Sequence, residues 1–215
     1  SPIGDPFDID YVAHEIGHQF SGSHTFDGSG GSCGGNRSSS TAYEPGSGST
    51  IMGYAGICGG DNTQNNSDAF FHVGSYVEMT NFIHSGTGKT CAVITPTGNT
   101  QPQADANPIT DYHVIPMETP FELTGEGSDP DGDDITYIWE EYDRTSSGSS
   151  VNNPGPNSPL FKSWTPETDG FVRTFPRMFN ILNNGTVKGE TYPFSNRVMK
   201  FRLTVRDNKL AGGGV

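Results

Sequence analysis

Residues 14–24 read HEIGHQFSGSH. Positions i and i+4 of a helix share one face, so His14 and His18 project together. Two imidazoles on one face make half of a zinc site. Glu15 lies about 100° round the helix from His14, so it is placed to reach a metal-bound water as a general base, not to ligate. Gly22 lets the chain leave the helix through a positive-φ turn and curl back, offering His24 as a third ligand. Three protein ligands and one open position are the catalytic pattern for zinc, whereas structural sites are closed by four. A bare His-Glu-x-x-His arises by accident. Scattered core histidines seldom add a third at this spacing.

The stretch resembles the metzincin zinc peptidases, whose pattern is His-Glu-x-x-His-x-x-Gly-x-x-His followed by a Met-turn. One position departs from it: Ser21 stands where the family has glycine, and Gly22 follows. Either Ser21 holds a left-handed conformation at some cost, or the turn slides by one residue. Thr50-Ile51-Met52-Gly53-Tyr54 resembles the Met-turn. The resemblance places Met52 beneath the metal as a hydrophobic base. Tyr54 matches the Met-x-Tyr form of astacins and serralysins, in which the tyrosine is a swinging fifth ligand or a transition-state hydrogen-bond donor. The alternative is a packing residue of the turn. Ala55, Gly56 and Ile57 fall where metzincins wall the pocket for the side chain just after the scissile bond.

In motif order the chain resembles secreted bacterial reprolysin-like (adamalysin-like) metallopeptidases. That implies a Zn2+-dependent endopeptidase acting on protein or peptide substrates outside the cell. His14, His18 and His24 are the implied metal ligands and Glu15 the implied base. In adamalysin-like enzymes, cysteines from the regions after the third histidine and after the Met-turn are joined, which would pair Cys33 with Cys58; the alternative is that Cys91 takes one of the two and leaves the other free. A cysteine placed like Cys91 reaches back to the N-terminal subdomain there. Two other classes fit a metal-site motif: an adhesive protein with a vestigial site, and a metal-dependent amidase acting on something other than protein. An intact Glu15 speaks against the first and the Met-turn against the second.

Several elements must position these residues. Before His14, Asp5 or Asp8 can cap the active-site helix, with Phe7, Ile9, Tyr11 and Val12 packing it. Only thirteen residues precede His14, while metzincins carry a large upstream subdomain, so the chain is expected to begin in mid-domain. Residues 25–50 form a Gly- and Ser-rich connection longer than ordinary loops, and such loops are functional or tied down. His72 is expected to pack or cap locally. Ser75 and Glu78 fit a Ser-x-x-Glu capping box. Tyr76, Met79, Phe82 and Ile83 continue as the apolar stripe of a helix ended by Gly86 or Gly88, which corresponds to the family's C-terminal helix. Residues 97–107 read as a linker.

Beyond it the period changes to two. Phe121 and Leu123, then Ile135, Tyr137 and Trp139, then Met199, Phe201, Leu203 and Val205 alternate with polar residues, the mark of strands with one buried face. These runs resemble immunoglobulin-like domains of the polycystic-kidney-disease and cadherin-like kind, with Trp139 as the core tryptophan. Residues 144–196 look like an extended insertion. Asp129, Asp131, Asp133 and Asp134 offer oxygen ligands for calcium (Ca2+), without an EF-hand's loop. The expected fold class is therefore α+β: the C-terminal portion of a metzincin catalytic domain over 1–96, a linker over 97–107, and an all-β immunoglobulin-like sandwich over 108–215. The Gly-Gly-Gly-Val ending suggests a missing last strand.

Composition narrows the function further. Only 31% of the 215 residues are hydrophobic, and 29 glycines and 15 prolines favour loop-rich or β-rich structure over helix bundles. A net charge of −13 argues against a nucleic-acid partner. No apolar run approaches the ~20 residues that span a bilayer. Many Ser, Thr, Asn and Gly residues with few Lys suit an extracellular protein.

Overall fold

The computed structural model describes residues 3–91, 93–106, 113–183, 185–210 and 212–215. Helix and sheet are mixed, with much of the first half irregular. The chain enters through α1 (Asp5–Phe7), a π-helical stretch (Asp8–Ala13) and α2 (His14–Gln19), which follow one another without a break. Neither Asp5 nor Asp8 caps the start: Gly4 is the N-cap, at φ 87°, and Pro6 sits in the first turn. A proline there removes only an N–H that the helix leaves unpaired anyway. Tyr11, Val12, Ile16 and Phe20 are exposed, so the apolar residues expected to pack this helix pack it only in part.

The long connection after α2 is tied down. Residues 41–53 are all buried, although they carry no helix or strand. Buried backbone must find partners, and here it finds them in loop-to-loop bonds such as Asp27 N–H to Glu44 O (2.8 Å) and Gly28 N–H to Gly46 O (2.7 Å). Cys33 and Cys58 are bonded to each other and sit with Phe26 in a small core, against which Tyr54 packs.

Helix α3 spans Val73–His84. Ser75 is not its N-cap, and no capping box forms. His72 is the cap: its Nδ1 accepts from Gly74 N–H. A second acceptor comes from the other half of the chain, where the Glu140 carboxylate takes Val73 N–H at 3.2 Å. A carboxylate at this end also complements the helix dipole. Glu78 is thereby free to serve elsewhere.

The second half contributes β1 (Gln103–Asp105), β2 (Phe121–Thr124), β3 (Glu126–Ser128), β4 (Thr136–Glu141), β5 (Val172–Phe175), α4 (Met178–Leu182) and β6 (Phe201–Arg206). β1 falls within the stretch read as a linker. Among the described residues the strands form three antiparallel pairs, β1–β3, β2–β5 and β4–β6, each a separate two-stranded sheet. Trp139 packs with Leu160, Phe161 and Phe175 in a core flanked by Phe121, Leu123, Met199, Phe201 and Leu203. Six of the alternating residues of the sequence meet in this core; Ile135, Tyr137 and Val205 are not part of it. In the stretch 144–196, β5 pairs with β2, and Leu160 and Phe161 hand their N–H groups to the buried Glu141 carboxylate.

The two halves share buried polar contacts. Ser149 Oγ donates to Asp27, Ser150 Oγ and Val151 N–H donate to Asp61, and Tyr43 stacks on Tyr142 with ring centroids 4.4 Å apart.

The disulfide closes a loop of 25 residues, which on the chain-entropy model stabilises the fold by about 3 kcal/mol. Cys58→Ser should lower the unfolding free energy by that order, and non-reducing peptide mapping of the parent should return Cys33 linked to Cys58 with Cys91 alkylated. An unchanged denaturant midpoint in Cys58→Ser would contradict the loop's dependence on the bridge.

Candidate functional site

α2 ends two residues before the turn that redirects the chain. Ser21 N–H bonds to His18 O and Gly22 N–H to Gly17 O at 2.9 Å, a helix-closing pattern with a left-handed residue between. That residue is Ser21, at φ 69°. Of the two possibilities open from the sequence, the serine takes the left-handed conformation and the turn has not slid. Gly22 is required for closeness: a Cβ there would meet Gly17 O at 3.0 Å. The Glu78 carboxylate holds the turn from α3, accepting from Ser23 N–H (2.9 Å) and Ser23 Oγ (3.1 Å).

The chain that returns brings His24 to His14 and His18. One ring nitrogen from each lies within 4.8 Å of the others. Each ring is oriented by a backbone carbonyl: His14 Nδ1 bonds to Ile51 O (2.7 Å), His18 Nδ1 to Gly22 O (2.7 Å) and His24 Nδ1 to Asn36 O (2.6 Å). A carbonyl can only accept, so each Nδ1 carries the proton. In the neutral rings every Nε2 is then a lone pair. The Nε2 atoms of His18 and His24 face each other at 3.1 Å. Two lone pairs at that distance repel unless a proton or a cation lies between them. Burial, then the neighbouring imidazoles, push His14 and His24 below the ordinary histidine range, which keeps them in the neutral form that ligates. Three borderline-soft nitrogens with donors on the far side fit zinc.

Met52 is fully buried and lies against α2. A Cβ on Gly17 would meet its Sδ at 2.5 Å, so glycine at this point of the helix lets the methionine pack directly against it. Met52 O accepts from Thr25 N–H, which joins the turn to the segment bearing His24. Tyr54 stacks near His24 and His14, with centroids 4.6 and 5.5 Å away. Burial and the charge of Glu15 push its phenol above the ordinary tyrosine value, so it keeps its proton.

His14 is buried, His24 half-buried, and His18 and Glu15 are exposed, so the cluster opens on one side. A cleft of about 350 Å³ begins there, lined by His14, Glu15, Tyr54 and the Ala55–Gly56–Ile57 stretch, with Asn66 and Ser67 beyond. The residues singled out from the sequence are thus gathered in one place. The carbonyls of Ile51, Gly22 and Asn36, and the carboxylates of Glu78 and Glu44, were not foreseen. Backbone acceptors leave no mark in a sequence.

The acidic turn of the second half is satisfied only in part: Asp129 Oδ2 is buried without a hydrogen-bond partner. Asp129 accepts from the Asp131 and Asp133 N–H groups, and Lys209 Nζ lies 3.0 Å from Asp133. Asp134 does not join the other three.

Residues 1–82 match the family model described as metallo-peptidase family M12B, reprolysin-like. The match takes in His14, Glu15, His18, His24, Met52 and Tyr54. It makes this part of the chain similar to metal-dependent peptidases whose substrates are proteins. No curated protein and no solved structure matches the chain. No helix among the described residues is long and apolar enough to cross a membrane.

A left-handed serine costs about 1 kcal/mol relative to glycine at the same place. Ser21→Gly should therefore stabilise the protein by roughly that amount in urea unfolding. A neutral or destabilising effect would show that the turn is not strained.

Proposed function

We propose that the protein is a zinc-dependent endopeptidase, with Zn2+ held by His14, His18 and His24. The observation that carries this is the convergence of three Nε2 lone pairs, each made available by a carbonyl on the opposite nitrogen. Zinc bound there supplies Lewis acidity toward the scissile carbonyl and lowers the pKa of a coordinated water toward ~7.

The remaining work falls to the chain's own groups. Glu15 sits at the open side, and its charge acts on His14, His24 and Tyr54. Its carboxylate takes the proton of the attacking water and returns it to the leaving amine nitrogen. Tyr54 keeps its phenolic proton and donates it as a hydrogen bond to the developing oxyanion. Met52 is the apolar base that fixes the height of the histidines. Ala55, Gly56 and Ile57 wall the cleft for the substrate side chain that follows the scissile bond.

We also propose that 108–215 is an immunoglobulin-like unit joined to the catalytic portion (1–96) through 97–107. Antiparallel pairing and Trp139 at the aromatic core support it. A secreted location is supported by the Cys33–Cys58 bridge, since disulfides persist in oxidising compartments. The acidic turn around Asp129, of whose charges Lys209 offsets one, does not enter the proposal.

Glu15→Ala should keep stoichiometric zinc while casein and peptide cleavage fall by a factor of about 10²–10⁴. His18→Ala should lose both. Turnover near the parent rate in Glu15→Ala would remove Glu15 as the base. A parent protein that binds zinc but cleaves neither casein nor peptides would favour a vestigial or non-protein site.

A further inference from the structure

One buried carboxylate stands behind the histidine cluster without touching it. Glu44 is 1% exposed. Its Oε1 accepts from Ser49 N–H (2.8 Å), Ser49 Oγ (3.2 Å) and Thr50 N–H (3.1 Å). Its Oε2 accepts from Thr25 Oγ1 (2.5 Å) and Thr50 Oγ1 (2.6 Å). These five bonds from neutral donors satisfy a carboxylate's acceptor sites. The loop is shaped to admit it: a Cβ on Gly48, at φ 71°, would lie 3.0 Å from Oε2.

The donors belong to two segments far apart in the sequence, which the bond from Thr25 N–H to Met52 O also joins. Thr25 follows His24. Thr50 precedes Ile51, whose carbonyl orients His14, and lies two residues before Met52. The Glu44 backbone adds to the tie, giving its N–H to Thr25 O and taking Asp27 N–H, so that it brackets Phe26 as well. We propose that Glu44 is a positioning residue: its carboxylate locks the segment bearing His24 to the segment that orients His14, and so sets the distance between two of the three metal-binding nitrogens. This rests on the metal site proposed above.

The two oxygens differ in what they demand. Oε1 faces two backbone N–H groups, which can only donate. Oε2 faces two hydroxyls, which can also accept. A glutamine can therefore keep its carbonyl toward Ser49 and Thr50 and point its NH₂ at the threonine hydroxyls. Alanine removes the acceptor and leaves buried donors unpaired.

The test compares Glu44→Ala, Glu44→Gln and the isosteric pair Thr25→Val/Thr50→Val in the full chain. Zinc affinity is measured by competition with a chromogenic chelator, and the visible spectrum of the cobalt(II)-substituted protein reports ligand geometry. Glu44→Ala and the double valine variant should lose about 10–100-fold in zinc affinity, the range for groups that orient ligands, with an altered cobalt spectrum. Glu44→Gln should stay within about threefold of the parent, with the parent's spectrum, because the donor pattern above can be rebuilt. Parent-like affinity and spectrum in Glu44→Ala overturn the proposal. Where that variant does not fold, parent-like values in the double valine variant do so. A parent that takes up no zinc, alongside an equally metal-free His18→Ala, overturns the metal site itself and this inference with it.

Discussion

The structure depends on one constraint: the three imidazoles must present Nε2 to a common point, and each is held there by a backbone carbonyl on Nδ1. Those carbonyls belong to Ile51, Gly22 and Asn36, none of them in a helix or strand. Irregular chain is ordinarily the mobile part of a protein. Here it has to be as rigid as an element, because a shift of one carbonyl turns a ring. The means is burial of polar chain against carboxylates. Glu44 gathers Thr25, Ser49 and Thr50; Glu78 holds Ser23; Asp61 takes Ser29 N–H and Gly30 N–H. A carboxylate has about four acceptor sites, which Glu44 shares among five donors, so one acid can order several loop donors that no ladder pairs. That explains how a chain only 31% hydrophobic holds the irregular segments of the site in place.

The same device joins the two halves. Asp27 and Asp61 each accept from the first half and from residues 149–151. Glu140 reaches from β4 to the first turn of α3, and α3 in turn carries Glu78 to the turn after His18. A path of hydrogen bonds therefore runs from the second half's β4 through α3 to the segment bearing His24. Buried charges left without such partners would cost several kcal/mol each.

Much of the site was legible because its chemistry is local. His14, Glu15 and His18 fall on one helix, and His24 lies within a turn of it; short-range geometry suffices to bring them together. Met52 and Tyr54 became legible only through a family resemblance, since nothing in their own spacing says what they face. The second half was legible where alternation is clean, in β2 and β6, whereas in β4 the apolar Ile138 interrupts it and Ile138 to Glu141 are all buried. It was not in β5, where the inward residue Arg173 is charged and hides the period; its guanidinium is buried against Glu190 and the Trp139 and Lys162 carbonyls. The cap of α3 was misassigned because Ser75 and Glu78 satisfy a local rule, while a distant carboxylate and His72 supply the real acceptors. Interactions that span the chain leave no local signature.

The central claim is an open three-histidine zinc site, and zinc K-edge X-ray absorption on the zinc-loaded protein tests it most directly. The account predicts three imidazole nitrogens and one oxygen neighbour, all near 2.0–2.1 Å, in a four-coordinate shell. A sulfur shell near 2.3 Å, or a fourth imidazole closing the site, would contradict it.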